Sequence, residues 1–286
     1  MKRENIPWRP ARAARVRWQE DGTPFAPEFA DVYYSRDDGL AESRYVFLQG
    51  NRLPERWSEF AAASFCIAET GFGTGLNFLL TWQAWRQQAQ PRPDLHYLSV
   101  ELHPLQLHDL RRSLVLWPEL AELGKQLLQQ WPGLAPGEHR LLFDSGRVRL
   151  DLWWADAAEV MADMARLGPC IDAWYLDGFA PARNPGMWHE QLLRSMATLS
   201  RPHATFSTFT AAGSVRRGLQ AVGFEVHKAP GFGRKRDCLR GYLPASTTAT
   251  RHTRPEETPW DLHPSHRPGS ALVLGAGLAG CSVAAA

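Results

Sequence analysis

The chain has 286 residues, room for one large domain or two modest ones, and its 44% hydrophobic and 22% charged content is that of an ordinary soluble globular protein. No apolar run reaches membrane-spanning length, the opening MKRENIPWRP lacks the apolar core of a signal peptide, and the formal net charge is only +2. Four widely spaced cysteines, Cys66, Cys170, Cys238 and Cys281, form no C-x-x-C, which argues against a zinc site or a disulfide scaffold and for a reducing cytoplasm.

In chain order, the first 20 residues gather Lys2, Arg3, Arg9, Arg12, Arg15 and Arg17 against Glu4 and Glu20. Such a cluster suits a polyanion partner or simply solvates a surface. Residues 1–60 read as a β-rich N-terminal extension, because VRW, DVYYS and RYVFLQGN are short aromatic or β-branched runs between Gly, Pro and Asp turns. The core, residues 61–243, then opens with FCIA, an apolar run too short for a helix and so a buried strand. Glu69 ends that strand, Gly71, Gly73 and Gly75 follow at alternate positions, and LNFLLTWQAW continues at helical spacing. Strand, glycine turn and helix make the first unit of a doubly wound α/β sheet, whose ligands sit at the carboxyl ends of the strands.

Further along, LHYLSVE is a second strand ending on Glu101, and the stretches around LQLHDLRRSLVLW and ELAELGKQLLQQ are helical. HRLLFDSGRVRLDLWW reads as a hairpin about Asp144–Gly146, with Asp156 just beyond it and a helix, AAEVMADMARL, after that. IDAWYLD, another core strand, leads into the loop GFAPARNPGMW. A helix, the strand ATFSTFT, the helix GSVRRGLQAVG and a hairpin of FEVHKA with CLRGYL complete the domain. Residues 244–270, rich in Pro, Thr, Ser and charge, have a linker composition. Residues 271–286 contain a G-x-G-x-x-G at Gly275, Gly277 and Gly280, and read as a truncated start of a dinucleotide-binding domain.

The glycine spacing decides between ligands. A dinucleotide fingerprint needs glycine at position 76, where Leu76 stands, while G-x-G-x-G with an acid two residues ahead is similar to the pattern of Rossmann-like methyltransferases that use S-adenosylmethionine. Glu69, Gly71, Phe72, Gly73, Thr74, Gly75 and Asn77 are therefore the candidate cofactor contacts, with Glu69 placed to hold the amino end and backbone N–H groups near the helix start the carboxylate; the alternative is a glycine turn in some other α/β protein. Glu101, at the end of the next strand, can accept ribose hydroxyls. Asp156 either accepts from the adenine amino group or caps the helix that follows it. Asp177 is the candidate catalytic acid or base: a carboxylate beside an amine nucleophile orients its N–H and takes the proton. The alternative for Asp177 is an ordinary Asp-Gly turn. Phe179 offers a stacking face, Trp174 reads as core, and Arg234, Lys235 and Arg236 form a second basic cluster suited to phosphate. His103 and His108 read as surface or core residues, and no metal is expected.

Several stretches together resemble one family: ETGFGTGLNF, DVYYS, RYVFLQGN with LPERW, DAWYLDGFAPARNPGMW and PGFGRKRDCLRG. Over about residues 8–243 the chain is similar to the methyltransferase domain of the MnmC family of bifunctional tRNA-modifying enzymes. That resemblance implies a class I methyltransferase that uses S-adenosylmethionine to methylate the aminomethyl group of a wobble uridine, with the tRNA anticodon loop as partner. SALVLGAGLAG is similar to the start of the family's second, FAD-binding oxidase domain, so FAD is expected only in a domain that this sequence does not contain. Two other readings of the residues stay open: an enzyme on a small amine, of methyltransferase or aminopropyltransferase type, and a non-catalytic RNA-binding module.

Overall fold

A computed structural model describes residues 12–34, 38–233 and 235–245. Lys2, Arg3, Arg9, Arg234, the 246–270 part of the expected linker and the whole of residues 271–286 lie outside the described residues.

The N-terminal extension begins with a small antiparallel sheet of β1 (Arg17–Trp18), β2 (Pro24–Ala26) and β3 (Asp31–Val32). Its second half corrects the strand expected at RYVFLQGN. There the chain is helical: α1 (Gly39–Ser43) runs into a π-helical segment (Arg44–Gln49), and α2 (Leu53–Glu59) follows. Val46, Phe47 and Leu48 are three consecutive buried apolar residues, a run whose periodicity does not separate strand from helix. Side-chain hydrogen bonds tie this helical stretch to the core sheet. Ser207 donates its hydroxyl to the Val46 carbonyl at 2.5 Å, and buried Asn51 donates to the Phe47 and Trp174 carbonyls while accepting from Thr205.

The core follows in order: β4 (Ser64–Thr70), α3 (Leu76–Arg86), β5 (Asp94–Glu101), α4 (Leu107–Leu114), α5 (Ala121–Gln130), β6 (Gly137–Phe143), β7 (Val148–Trp154) and α6 (Ala157–Met164). After these come β8 (Ile171–Tyr175), α7 (Glu190–Leu199), β9 (Ser200–Thr208), α8 (Gly213–Ala221), β10 (Glu225–Pro230) and β11 (Asp237–Tyr242). Their strands form one sheet in the order β10-β11-β9-β8-β4-β5-β7-β6. The central strands β9, β8, β4, β5 and β7 pair in parallel, while β6, β11 and β10 join antiparallel at the edges.

Parallel strands are buried on both faces, and β4 shows it: Phe65, Ile67 and Ala68 are fully covered. α3 is apolar almost all round because it lies between the sheet and the helices outside it, and Leu76, Phe78, Leu79, Leu80, Trp82 and Trp85 are all buried. Each buried Leu or Phe contributes about 1.5–3 kcal/mol against entropy. The chain leaves β4 through α3 to β5 on one side, and β8 flanks β4 on the other. The crevice between the carboxyl ends of β4, β5 and β8 is therefore the switch point at which α/β sheets bind ligands. No helix among the described residues is long and apolar enough to cross a membrane.

Candidate active site

A cavity of about 590 Å³ opens at that switch point. The glycine turn forms its floor through Gly71, Phe72, Gly73 and Thr74. Glu101 and Asp156 line one end, and Asp177, Gly178 and Phe179 line the other. Much of the rest belongs to the N-terminal extension, including Glu28, Phe29, Tyr33, Glu42 and Ser43.

Gly71 shows why this turn needs glycine. Its φ of 89° lies in the left-handed region, and a Cβ there would stand 3.5 Å from the Gly178 Cα, where the loop after β8 crosses the turn. Glu101 grips the same turn from the next strand: Oε2 accepts from the Gly73 N–H at 3.0 Å and Oε1 from the His103 N–H at 2.8 Å. Burial pushes the Glu101 carboxyl above its ordinary range, and the His103 and Gly73 N–H groups pull it back down. A carboxylate with one donor on each oxygen still has lone pairs for hydroxyl groups. Asp156 takes the capping role. Its Oδ1 caps α6 by accepting from Ala158 N at 2.8 Å and Glu159 N at 3.2 Å, and the residue also lines the cavity.

Asp177 follows β8 and takes one donor on each oxygen, Gly178 N–H on Oδ1 at 2.8 Å and Asn77 Nδ2 on Oδ2 at 2.7 Å. Burial raises its carboxyl to about 6, against those two donors. Beside it Phe179 stacks on Phe29, with centroids 4.4 Å apart, and meets the edge of Tyr33 at 5.5 Å.

Other expected site residues are placed differently. Glu69 is fully buried but does not line the cavity. It stands behind Asn77, which donates to its Oε1 at 2.8 Å, while Ser99 bonds its Oε2 at 2.8 Å. Burial, and after it the nearby Asp177, raises the Glu69 carboxyl to about 8. Gly75 caps the start of α3 and is also off the cavity wall. Lys235 lines the cavity, yet its ammonium is engaged, 2.6 Å from Glu42 and over the Phe209 ring at 4.8 Å. Arg236 is exposed and does not line the cavity.

Sequence reasoning missed Phe29, Tyr33, Glu42, Ser43 and His103, all of them on the wall. The adjacent aromatics of DVYY were a signal for Tyr33, but nothing local says that they close over a turn forty residues away. Burial, with the Glu101 charge facing it, pushes the Tyr33 phenol well above its ordinary range.

The fold has the architecture of a Rossmann-like class I methyltransferase. Residues 118–244 match the family described as S-adenosyl-L-methionine-dependent methyltransferase. A solved structure, that of MNMC2 from Aquifex aeolicus, has the same fold at a TM-score of 0.63 and 21% identity, covering 82% of this chain and 73% of that one. Among curated proteins, the tRNA 5-methylaminomethyl-2-thiouridine biosynthesis bifunctional protein MnmC of Aeromonas hydrophila is 48% identical over 277 residues. Its counterpart in Methylobacillus flagellatus is 49% identical over 271 residues. These alignments take in 95% of this chain but 41% and 39% of the two relatives, so the chain spans about two-fifths of their length. Over that shared stretch the chain is similar to the MnmC proteins.

The residues present suit S-adenosylmethionine. The turn at Gly71 and Gly73 brings bare backbone to the cavity, Glu101 retains acceptor capacity for hydroxyls, and Asp156 stands at the same end.

Proposed function

We propose that residues 61–243, with residues 12–34 and 38–60 of the extension closing over them, form an S-adenosylmethionine-dependent tRNA methyltransferase. Its acceptor is the aminomethyl nitrogen of 5-aminomethyl-2-thiouridine at the wobble position, and its product is 5-methylaminomethyl-2-thiouridine. The observation that carries this reading is the meeting in one cavity of the glycine turn, the Glu101 carboxylate, and the pair Asp177–Phe179 at the end of β8.

In this reading the Gly71–Thr74 turn borders the methionine end, Glu101 takes the ribose hydroxyls, and Asp156 accepts from the adenine amino group. When bound, S-adenosylmethionine supplies an electrophilic methyl group for in-line displacement. Such a transfer owes most of its rate to positioning. The amine must be neutral to attack, and Asp177 does that work: its carboxylate accepts an N–H of the amine, holds the lone pair toward the methyl carbon and takes up the proton that the nitrogen loses. Raised to about 6, Asp177 stays ionised at neutral pH yet is basic enough to help. Phe179 gives the uracil ring a face to stack on. A wobble base is already single-stranded, so turning it into the cavity costs little.

The relatives' name and 48% identity support tRNA as the partner. The exposed Arg236, with Arg234, is assigned to tRNA phosphate. We extend the relatives' description as bifunctional to a longer form of this protein. Residues 271–286 would open an FAD-binding oxidase domain that removes a carboxymethyl group before methylation, with residues 244–270 as the linker and the cytoplasm as the setting. Incubating undermodified tRNA with this chain and S-adenosylmethionine, followed by mass spectrometry of the nucleosides, tests the reading. It predicts 5-methylaminomethyl-2-thiouridine at the wobble position, and unchanged nucleosides would overturn it.

A further inference from the structure

Asn77, the second residue of α3, was expected among the cofactor contacts, but its hydrogen bonds point elsewhere. A primary amide has two N–H donors. In Asn77 both go to carboxylates of the protein, one to Glu69 Oε1 at 2.8 Å and one to Asp177 Oδ2 at 2.7 Å. The amide oxygen accepts the Ser43 hydroxyl, which comes from α1 of the N-terminal extension. The side chain therefore has no free donor to offer a ligand, although it borders the cavity.

We propose that Asn77 is a positioning residue that clamps the Asp177 carboxylate, with Ser43 fixing the amide's orientation and Glu69 anchoring its second N–H. The proposal rests on the reading of Asp177 as the group that takes the amine's proton.

The fold explains why such a clamp is needed. Glu69 and Asp177 belong to the ends of neighbouring parallel strands, where Glu69 pairs with Tyr175, two residues before Asp177. Buried Glu69 and half-buried Asp177, bridged by one amide nitrogen, disfavour joint ionisation, so they titrate as a coupled pair. Burial raises both, the fully buried Glu69 further than Asp177, which favours the proton on Glu69 and the charge on Asp177. The Asn77 amide donates to both and favours the ionised form of each, so it holds Asp177 in place and lowers its pKa, while the order follows from the deeper burial of Glu69. The other groups facing Asp177 are the Gly178 N–H, Glu42 of α1, which pushes its pKa up, and Lys235 of the β10–β11 turn, which pulls it down. Glu42 and Lys235 pair with each other at 2.6 Å, so their effects oppose.

The test compares wild type with Asn77→Ala and Ser43→Ala in three measurements: calorimetric affinity for S-adenosylmethionine, single-turnover methyl transfer to tRNA across pH, and carbon-13 NMR titration of the carboxyl groups. Asp177→Asn identifies the Asp177 resonance. With the clamp removed, the Asp177 titration and the acid limb of the rate profile move together to higher pH. The rate falls by roughly tenfold or more, a part of the 10²–10⁴-fold typical of a general base. Affinity for S-adenosylmethionine stays within about twofold of wild type, since every Asn77 bond is internal. Ser43→Ala, which leaves both donors in place, gives a smaller shift of the same sign and carries the test if Asn77→Ala does not fold. An unmoved Asp177 titration with a large loss of S-adenosylmethionine affinity would overturn the clamp and return Asn77 to the cofactor contacts. If wild type transfers no methyl group, the functional reading fails, and the carboxyl titration alone decides the clamp: an upward shift upholds it and no shift overturns it.

Discussion

Glu101 accepts the Gly73 N–H at 3.0 Å, so the acid at the end of β5 is tied to the turn that follows β4. One carboxylate thus holds the glycine turn in shape and presents its remaining lone pairs to the cavity. Replacing it with Gln at the same size removes the charge and one acceptor. Hydrogen bonds to a charged group are worth about 1.5–3 kcal/mol, so Glu101→Gln should weaken S-adenosylmethionine binding roughly ten- to a hundredfold. Calorimetry checks this, and undiminished affinity in the folded variant would remove Glu101 from the cofactor site.

The buried Glu69 carboxyl makes stability depend on pH. Its pKa in the folded chain is about 8, above the ordinary 4.5, so folding favours the protonated form. The stability it contributes is complete below about pH 4.5, and it is lost as pH rises through about 8. Glu69→Gln keeps the shape without the titration. The melting temperature of the variant should therefore gain on that of wild type between about pH 4.5 and 8, and parallel curves would show that Glu69 does not titrate in this range.

The Arg236 and Lys235 side chains should differ in their effect on tRNA binding. Lys235 is held by Glu42 and Phe209, whereas Arg236 is exposed. Taking away one cation that pairs with a phosphate flattens the slope of log K against log salt by about 0.7–0.9. Arg236→Ala should show about one such step, and Lys235→Ala a smaller one. Filter binding across salt concentrations measures both, and equal slopes for the two variants and wild type would make the cluster ordinary surface.

The sheet was legible because its strands carry unambiguous signals. FCIA before Glu69, LHYLSVE before Glu101 and IDAWY before Asp177 are apolar runs that end on acids, and the rule for doubly wound sheets places those ends together. The glycine turn was legible for the same reason. What the sequence hid was set by contacts between distant residues. RYVFLQ has the composition of a strand, yet it winds as a π-helix whose Val46 carbonyl accepts the hydroxyl of Ser207, some 160 positions later. Glu69 carries the right spacing for a cofactor contact but ends one layer beneath the wall, because Asn77 stands in front of it. Phe29 and Tyr33 reach Phe179 only through the fold of the extension, and no short motif encodes that closure.

The central claim is that Asp177 takes the proton of an amine in a methyl transfer, and single-turnover transfer to tRNA by wild type and Asp177→Asn across pH tests it most directly. The wild-type rate should rise through about pH 6 as Asp177 ionises. The variant should be slower by about 10²–10⁴-fold at neutral pH, partly recover as rising pH deprotonates the amine without help, and bind S-adenosylmethionine as wild type does. A variant with the wild-type rate and the same pH profile would contradict the account and reduce Asp177 to a turn residue.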